Sequence, residues 1–406
     1  MLSAGIICEY NPFHLGHSYL IRRLREYGAT HIVAVMSGNF VQRGDAAILS
    51  KPARALQALL CGADLVVELP LPWAVSGAER FALGGVSLLD AIGVDLIGFG
   101  SECGSVERLK EASLALSSPS LREAMRQSLA KGSTFAAARQ RAVEQLYGMK
   151  TAELLRDPNN ILGIEYLKAV GRIGSGIAPV TVQRYGSAHG GESGSGPYAS
   201  SGQIRNMLQN GRDCSALMPP AAFSVLQEEI RLERAPASLF RAERAILAQL
   251  RRMTRHDFAL LPDISEGLEN RILNAVRQAA GLEDLYFLAK TKRYPLARIR
   301  RIVLSAFLGL KAGSASGFPP YIRVLGIGER GPEILQKAKA AAKLPIVSRP
   351  ADLNALGDRA REIADLENRA ADLYALCLPK VAPCGLDRTE KIITLPYRKG
   401  GPGSWN

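Results

Sequence analysis

The chain has 406 residues, 47% hydrophobic and 22% charged, which excludes an extended disordered protein and is enough for two or three domains. Lys and Arg outnumber Asp and Glu by 51 to 38, a formal +13 that favours a polyanionic partner without choosing between nucleic acid, nucleotide and an anionic surface. Six cysteines without CxxC spacing argue against a disulfide scaffold or zinc site, and no apolar stretch of about 20 residues suggests a membrane span; a cytoplasmic protein with reduced thiols and no membrane partner is expected.

In chain order, short apolar runs at 4–8, 31–36, 64–69, 94–99 and 177–184 read as buried parallel strands. Segments of helical periodicity at 19–27, 53–61 and 79–92 separate the first four, and a longer helical insertion at 106–171 precedes the fifth. This alternation predicts an α/β fold with a doubly wound, Rossmann-like parallel sheet over residues 1–215. After a Gly/Ser-rich loop, HGGESGSGP at 189–197, the stretch 219–310 is helical in pattern, giving a helical region at 216–315. Residues 316–406, with YIRVLGIG, LPIVS and helical segments at 332–342 and 363–376, read as a small α/β region.

The crevice of a doubly wound sheet lies at the carboxyl ends of its strands, so the loops there should converge. The first is EYNPFHLGH, whose His14 and His17 flank Gly16 at the start of a helix. Free N–H groups in that first turn attract phosphate, and the two imidazoles can donate hydrogen bonds to phosphoryl oxygens. A structural pair, or a weak metal site with Glu9 as the only local carboxylate, remains open on the residues alone. The second loop, SGNFVQRGD, offers Arg43 as a phosphate or carboxylate partner and Asp45 as a candidate ligand of a divalent cation, with Lys51 opening the next helix; a solvated turn would use the same residue types.

Farther on, Ser200 and Ser201 open a helix that carries Arg205 in its first turns, a cradle of hydroxyls, N–H groups and guanidinium for an anion. In DPNNIL, one of Asn159 and Asn160 is expected to cap a helix and leave the other to read a base or ribose edge, while Arg184 ends the fifth strand at the crevice. The run KTKRYPLARIRR holds Lys290, Lys292, Arg293, Arg298, Arg300 and Arg301 without an acidic residue. A basic helix face of this kind suits a nucleic-acid backbone, with a solvated face or an interdomain contact as the alternative.

The loop HLGH at 14–17 resembles the HxGH motif of the nucleotidyltransferase and class I aminoacyl-tRNA synthetase superfamily, and SSGQIR at 200–205 resembles its later SSTxIR-type motif, with Gly202 where Thr is common. The ordered set GIICEYNPFHLGH, SGNFVQRGD, GADLVVELP, GFGSE, PNNILGIEYLKA, SEGLENRI and KTKRYPLARIRR resembles the bacterial tRNA(Met) cytidine acetate ligase family over about residues 4–310. That resemblance implies an HxGH-type fold and an enzyme that uses ATP and Mg²⁺ to convert acetate to acetyl-adenylate. The acetyl group then passes to the N4 amine of the wobble cytidine of elongator tRNA(Met).

It further implies an ATP site lined by Ile7, Cys8, Glu9, Tyr10, Asn11, Pro12, Phe13, His14, Leu15, Gly16, His17, Ser18, Tyr19 and Leu20. Gly100, Asn160, Arg184, Ser201 and Arg205 would complete it. His14, His17, Arg43, Lys51 and Arg205 are the candidate catalytic residues, Asp45 the candidate metal ligand, and Lys290, Lys292, Arg293, Arg298 and Arg301 the candidate RNA contacts. A small-molecule nucleotidyltransferase on the same fold, or a non-catalytic RNA-binding protein with a nucleotide pocket, are the competing expectations.

Overall fold

A computed structural model describes residues 1–130, 134–184, 198–265, 267–341 and 343–395. The loop 189–197, Glu266 of the SEGLENRI motif and the chain from 396 onward lie outside the described residues.

The chain starts β1 (Ser3–Cys8), α1 (Leu15–Glu26), β2 (His31–Ser37), a small hairpin of β3 (Phe40–Val41) and β4 (Asp45–Ala46), α2 (Lys51–Leu60), β5 (Leu65–Leu69), α3 (Leu71–Ala74), α4 (Ala78–Ile92) and β6 (Leu96–Ser101). The insertion forms α5 (Val106–Ser117), α6 (Pro119–Ala130), α7 (Phe135–Tyr147), α8 (Met149–Glu153) and α9 (Pro158–Ile173), and leads into β7 (Ala178–Gln183). Strands β5, β2, β1, β6 and β7 lie side by side in that order and all run parallel. The chain therefore winds outward from β1 in one direction and then, through β6, in the other. The gap between β1 and β6 is the switch point at which such a sheet binds ligands.

Both faces of β5, β2, β1 and β6 are buried, which explains why these strands read as continuous apolar runs, while β7 at the sheet edge is half-buried. Alternation sends Ile7, Val33, Val35, Leu65 and Val67 into one core with α4 and α9, and Ile6, Cys8, Ile32, Ala34, Met36 and Val66 into another with α1 and α2.

Next come α10 (Ser201–Gln209), α11 (Pro220–Arg231), α12 (Glu243–Arg252), α13 (Arg255–Ala259), α14 (Leu268–Gln278), α15 (Leu282–Ala289) and α16 (Leu296–Leu308). Ala222 and Leu226 of α11 belong to the core that includes Ala55 and Leu59 of α2, so α11 packs on the sheet domain although its sequence lies past 215. The later helices share a third core, into which Phe40 and Ala46 of the hairpin insert.

Residues 316–395 do not form the separate α/β unit expected from sequence. Strand β8 (Ile322–Ile327) runs antiparallel to β5 and extends the main sheet, and β9 (Ile346–Val347) and β10 (Ile393–Thr394) pair with β8. Helix α17 (Gly331–Ala341) covers one face, and α18 (Asp358–Tyr374) spans both cores through Ile363 and Leu366. A short apolar run reveals that it is a strand but not which edge it joins, and here the partner lies far earlier in the chain.

Candidate active site

The loop from Glu9 to His14 leaves the carboxyl end of β1 at the switch point and passes through Tyr10 at φ 46°, a left-handed backbone held in place by a fully packed side chain. It ends in a cap built from the two histidines. Nδ1 of His14 accepts from the Gly16 N–H at 3.0 Å, and Nδ1 of His17 accepts from the His14 N–H at 3.2 Å. Each ring thus fills the role usually taken by Ser and Glu in a capping box.

That arrangement determines the tautomers. With Nδ1 used as an acceptor, a neutral ring carries its proton on Nε2 and keeps one N–H donor for a ligand. Burial, with Arg184 and Arg205 nearby, lowers the His14 pKa to about 3, and burial, with His14 and Arg184, also holds that of His17 well below its ordinary value. The rings stack with centroids 3.8 Å apart, and Tyr10 and Phe13 back His17 at 4.8 and 5.3 Å. Gly16 is required by this geometry, because a Cβ there would stand 2.9 Å from His14 Cε1.

Around this cap the other loops are tied together. Arg54 of α2 is fully buried and donates to the carbonyls of Leu49 (3.0 Å), Glu9 (2.6 Å), Ser37 (3.0 Å) and Gly38. One guanidinium therefore clamps the loops that follow β1 and β2. Glu9 accepts from the Gln42 N–H at 2.8 Å, and Asn11 accepts from the Ile48 N–H at 2.9 Å. Past β6, Glu102 accepts from Asn159 Nδ2 at 2.6 Å and from the Asn160 N–H at 2.9 Å.

Cations border the crevice. Arg205 donates to the Asn11 carbonyl at 2.9 Å, and Ser200 caps its helix in a box with Gln203. Arg184 lies against Gly100, where an added Cβ would be 3.1 Å from its Cγ. Arg43 stands exposed on the hairpin, and Arg300 enters from α16 with its guanidinium 5.4 Å from the Tyr286 ring centre. Among the described residues none of Arg43, Arg184, Arg205 and Arg300 forms an ion pair, and Arg205 spends one N–H on the Asn11 carbonyl.

With the geometry in hand, known proteins supply the comparison. The sequence matches the family model described as HIGH Nucleotidyl Transferase over residues 1–388. It is 38% identical over 387 residues to the tRNA(Met) cytidine acetate ligase of Caldicellulosiruptor saccharolyticus, covering 93% of this chain and 94% of that protein. It is likewise 38% identical over 404 residues to the one from Caldanaerobacter subterraneus subsp. tengcongensis, covering 97% and 100%. The crystal structure of Thermotoga maritima TmcAL bound with alpha-thio ATP superposes with a TM-score of 0.90 at 33% identity, over 97% of this chain and 99% of that one. Its apo form gives 0.92 at 34% identity, over 97% and 100%. The chain belongs to the tRNA(Met) cytidine acetate ligase family.

For a tRNA(Met) cytidine acetate ligase the structure reassigns several residues. Lys51 is not at the crevice. It is 1% exposed, with Nζ 2.9 and 3.0 Å from the two Glu68 carboxylate oxygens and also bonded to Asp387, which Arg323 meets at 2.7 Å. The nearby charges of Asp387 and Glu68 hold Lys51 protonated against burial, while burial and Glu68 push the Glu367 carboxyl up to about 8. Sequence put a cation after the second loop; folding turned it inward to carboxylates from β5 and from the C-terminal region.

Asn160, 1% exposed, does not offer a free amide: Oδ1 accepts from the Cys103 N–H at 3.0 Å and Nδ2 donates to Asp157 at 3.3 Å. Neither asparagine caps α9, whose N-cap is Asp157; both instead pin the loop after β6. Ile7, Cys8, Tyr10 and Phe13 are core residues that shape the loop from behind.

Asp45 has Arg300 and Arg205 as charged neighbours, which oppose the rise in its pKa caused by burial. Among the described residues no three His, Cys, Asp or Glu side chains gather to hold a metal, so a divalent cation at Asp45 would depend on substrate phosphates for other ligands.

In the basic run, Lys290, Lys292 and Arg293 are exposed, but Arg298 donates to the Asp263 carbonyl at 2.8 Å and to Ser265 at 2.6 Å, and Arg301 pairs with the Asp263 carboxylate at 2.6 Å. Those two arginines hold a turn of the protein itself. The sequence reading did not single out Arg54 or Glu102, and it gave Arg300 only as one member of the basic run. Arg54 sits at a helical position with no local peculiarity, and only its complete burial marks it out.

Proposed function

We propose that the crevice between β1 and β6 carries out both steps of ATP-dependent acetylation of the wobble cytidine of elongator tRNA(Met), the activity of this family. ATP lies with its phosphates over the first turn of α1, where the Nε2–H donors of His14 and His17 join the helix N–H groups. Arg205, Arg184 and Arg43 counter the phosphate charge, and Gly100 leaves room for the nucleotide beside β6. The superposition on a relative bound with alpha-thio ATP supports this placement.

An acetate oxygen attacks the α-phosphorus, the bond to the bridging oxygen breaks, and pyrophosphate leaves with that electron pair. Neutral imidazoles suit this step: they stabilise phosphoryl oxygens by hydrogen bonding and take no proton from acetate, which has none to give at neutral pH. The exocyclic amine of cytidine then attacks the acetyl carbon, AMP departs, and the amine loses a proton. An anticodon loop offers that base at a lower unstacking cost than a duplex. Mg²⁺ is assigned to the phosphates of ATP rather than to a carboxylate cage, because Asp45 stands alone among arginines.

The observation that carries this reading is the histidine pair, whose Nδ1 atoms are both used by the backbone so that both Nε2–H groups are left as donors. Mass spectrometry of tRNA(Met) incubated with ATP, Mg²⁺ and labelled acetate should show the label on the wobble cytidine. Labelled pyrophosphate should also exchange into ATP only when acetate is present. Exchange that proceeds equally without acetate would end this reading.

A further inference from the structure

Arg300 stands between two arginines that are already engaged, and its own surroundings differ. It lies on the turn of α16 that seats against the β3–β4 hairpin. Gly44, at φ 75°, accepts this contact because it lacks a side chain: a Cβ there would be 2.4 Å from the Arg301 nitrogen and 2.8 Å from Arg300 Cβ. The contact sets Arg300 beside Asp45, the next residue of the hairpin.

The Tyr286 ring, 5.4 Å away, orients the guanidinium without using any of its N–H donors. The Arg300 guanidinium donates no hydrogen bond to another described residue and forms no ion pair with one. It is only partly exposed, so these donors are not simply left to bulk water. Arg43 and Arg300 both lie near enough to Arg205 to depress its pKa, which burial already lowers, while Asp45 and Glu9 oppose that fall. Three guanidiniums from three separate elements repel one another there, and each keeps donors in a fork that matches a phosphate.

We infer that Arg300 is a phosphate-binding residue of the crevice, supplied by the basic helix α16 rather than by the nucleotide-binding sheet. The inference rests on the reading of this crevice as the ATP site. The phosphate belongs either to the triphosphate of ATP or to the tRNA backbone beside the wobble base. In both cases Arg300 joins the helical region to the place where the acetyl group is activated.

Arg300→Gln and Arg300→Lys, each with and without Asp45→Asn, test this. ATP and adenosine binding are followed by calorimetry, and tRNA(Met) binding by filter retention. Arg300→Gln should weaken either ATP or tRNA at least about tenfold, the loss of a charge-assisted hydrogen bond, with adenosine affinity unchanged and with partial recovery in Arg300→Lys. A change in ATP alone identifies the triphosphate, and a change in tRNA alone identifies the backbone. Unchanged affinity for both ligands would overturn the inference. So would full recovery in the Arg300→Gln, Asp45→Asn chain, since Arg300 would then serve only to neutralise Asp45. Should the unsubstituted chain lack acetate-dependent exchange, the reading of the reaction fails, while ATP and tRNA binding still decide the role of Arg300.

Discussion

Replacing His14 by Asn and by Ala separates the two tasks of the ring. Its Nδ1 caps α1 at Gly16, and in the proposed reading its Nε2–H is the donor to phosphate. Asn is as good an N-cap as any residue and can accept from the same turn, but it does not reach where Nε2–H points; Ala does neither. Loss of the cap costs about 1 kcal/mol. Loss of one donor to a charged phosphoryl oxygen costs about 1.5–3 kcal/mol, or about 10- to 150-fold in rate. Both variants also lose the ring packing on His17, roughly another 1 kcal/mol for a side chain only 5% exposed. Urea unfolding should therefore rank the wild type above His14→Asn and His14→Ala lowest. Acetate-dependent pyrophosphate exchange should fall at least tenfold in both. A His14→Asn chain with wild-type exchange would refute the donor role.

The same rings make a pH prediction. The folded-state pKa of His14 is lowered to about 3 and that of His17 is also lowered, so the folded chain binds fewer protons than the unfolded chain below about 6.5. Their contribution to stability is complete above that pH and is lost as pH falls toward 3, at up to about 1.4 kcal/mol per unit for each ring. In the free enzyme kcat/KM for ATP should show no inflection near 6.5 from either ring.

Two further outcomes are expected. Lys51→Met should cost about 3–5 kcal/mol in urea unfolding, because it leaves the Glu68 and Asp387 carboxylates short of a cation at positions closed to water; an unchanged unfolding midpoint with lost exchange would restore Lys51 to the reaction. Lys290→Ala with Lys292→Ala should weaken tRNA(Met) and reduce the slope of log affinity against log salt by about 1–2 while sparing ATP, as measured by filter binding across salt concentrations; an unchanged slope would remove these exposed lysines from the RNA contact.

Much of the site was legible because it is local. HLGH carries its own logic in four residues: a ring that turns back to cap, a glycine that lets it, and a second ring one turn on that completes the box. SSGQIR is equally self-contained, since Ser200 and Gln203 close their box within the same segment. Strands β1, β2, β5 and β6 were visible because burial on both faces leaves each of them apolar throughout, whereas β7 is half-buried at the sheet edge. Where two residues of one type stood together, local reading was weaker. Asn159 and Asn160 look like a cap and a free amide, yet both serve the Glu102 loop on another element.

The sequence by itself determined the βα alternation, the histidine-capped helix start and the family motifs, all of which depend on neighbours within a few residues. Tertiary structure alone decided which cations are spent on partners within the protein. Lys51 and Arg301 are paired with acids brought from elsewhere in the chain and Arg298 is spent on the Asp263 carbonyl and the Ser265 hydroxyl, while Arg300, one residue from Arg301, is left with open donors. Helical rotation by one residue changes the partner entirely, and a charge has no preference of its own for solvent, carboxylate or substrate until the fold sets what stands opposite it.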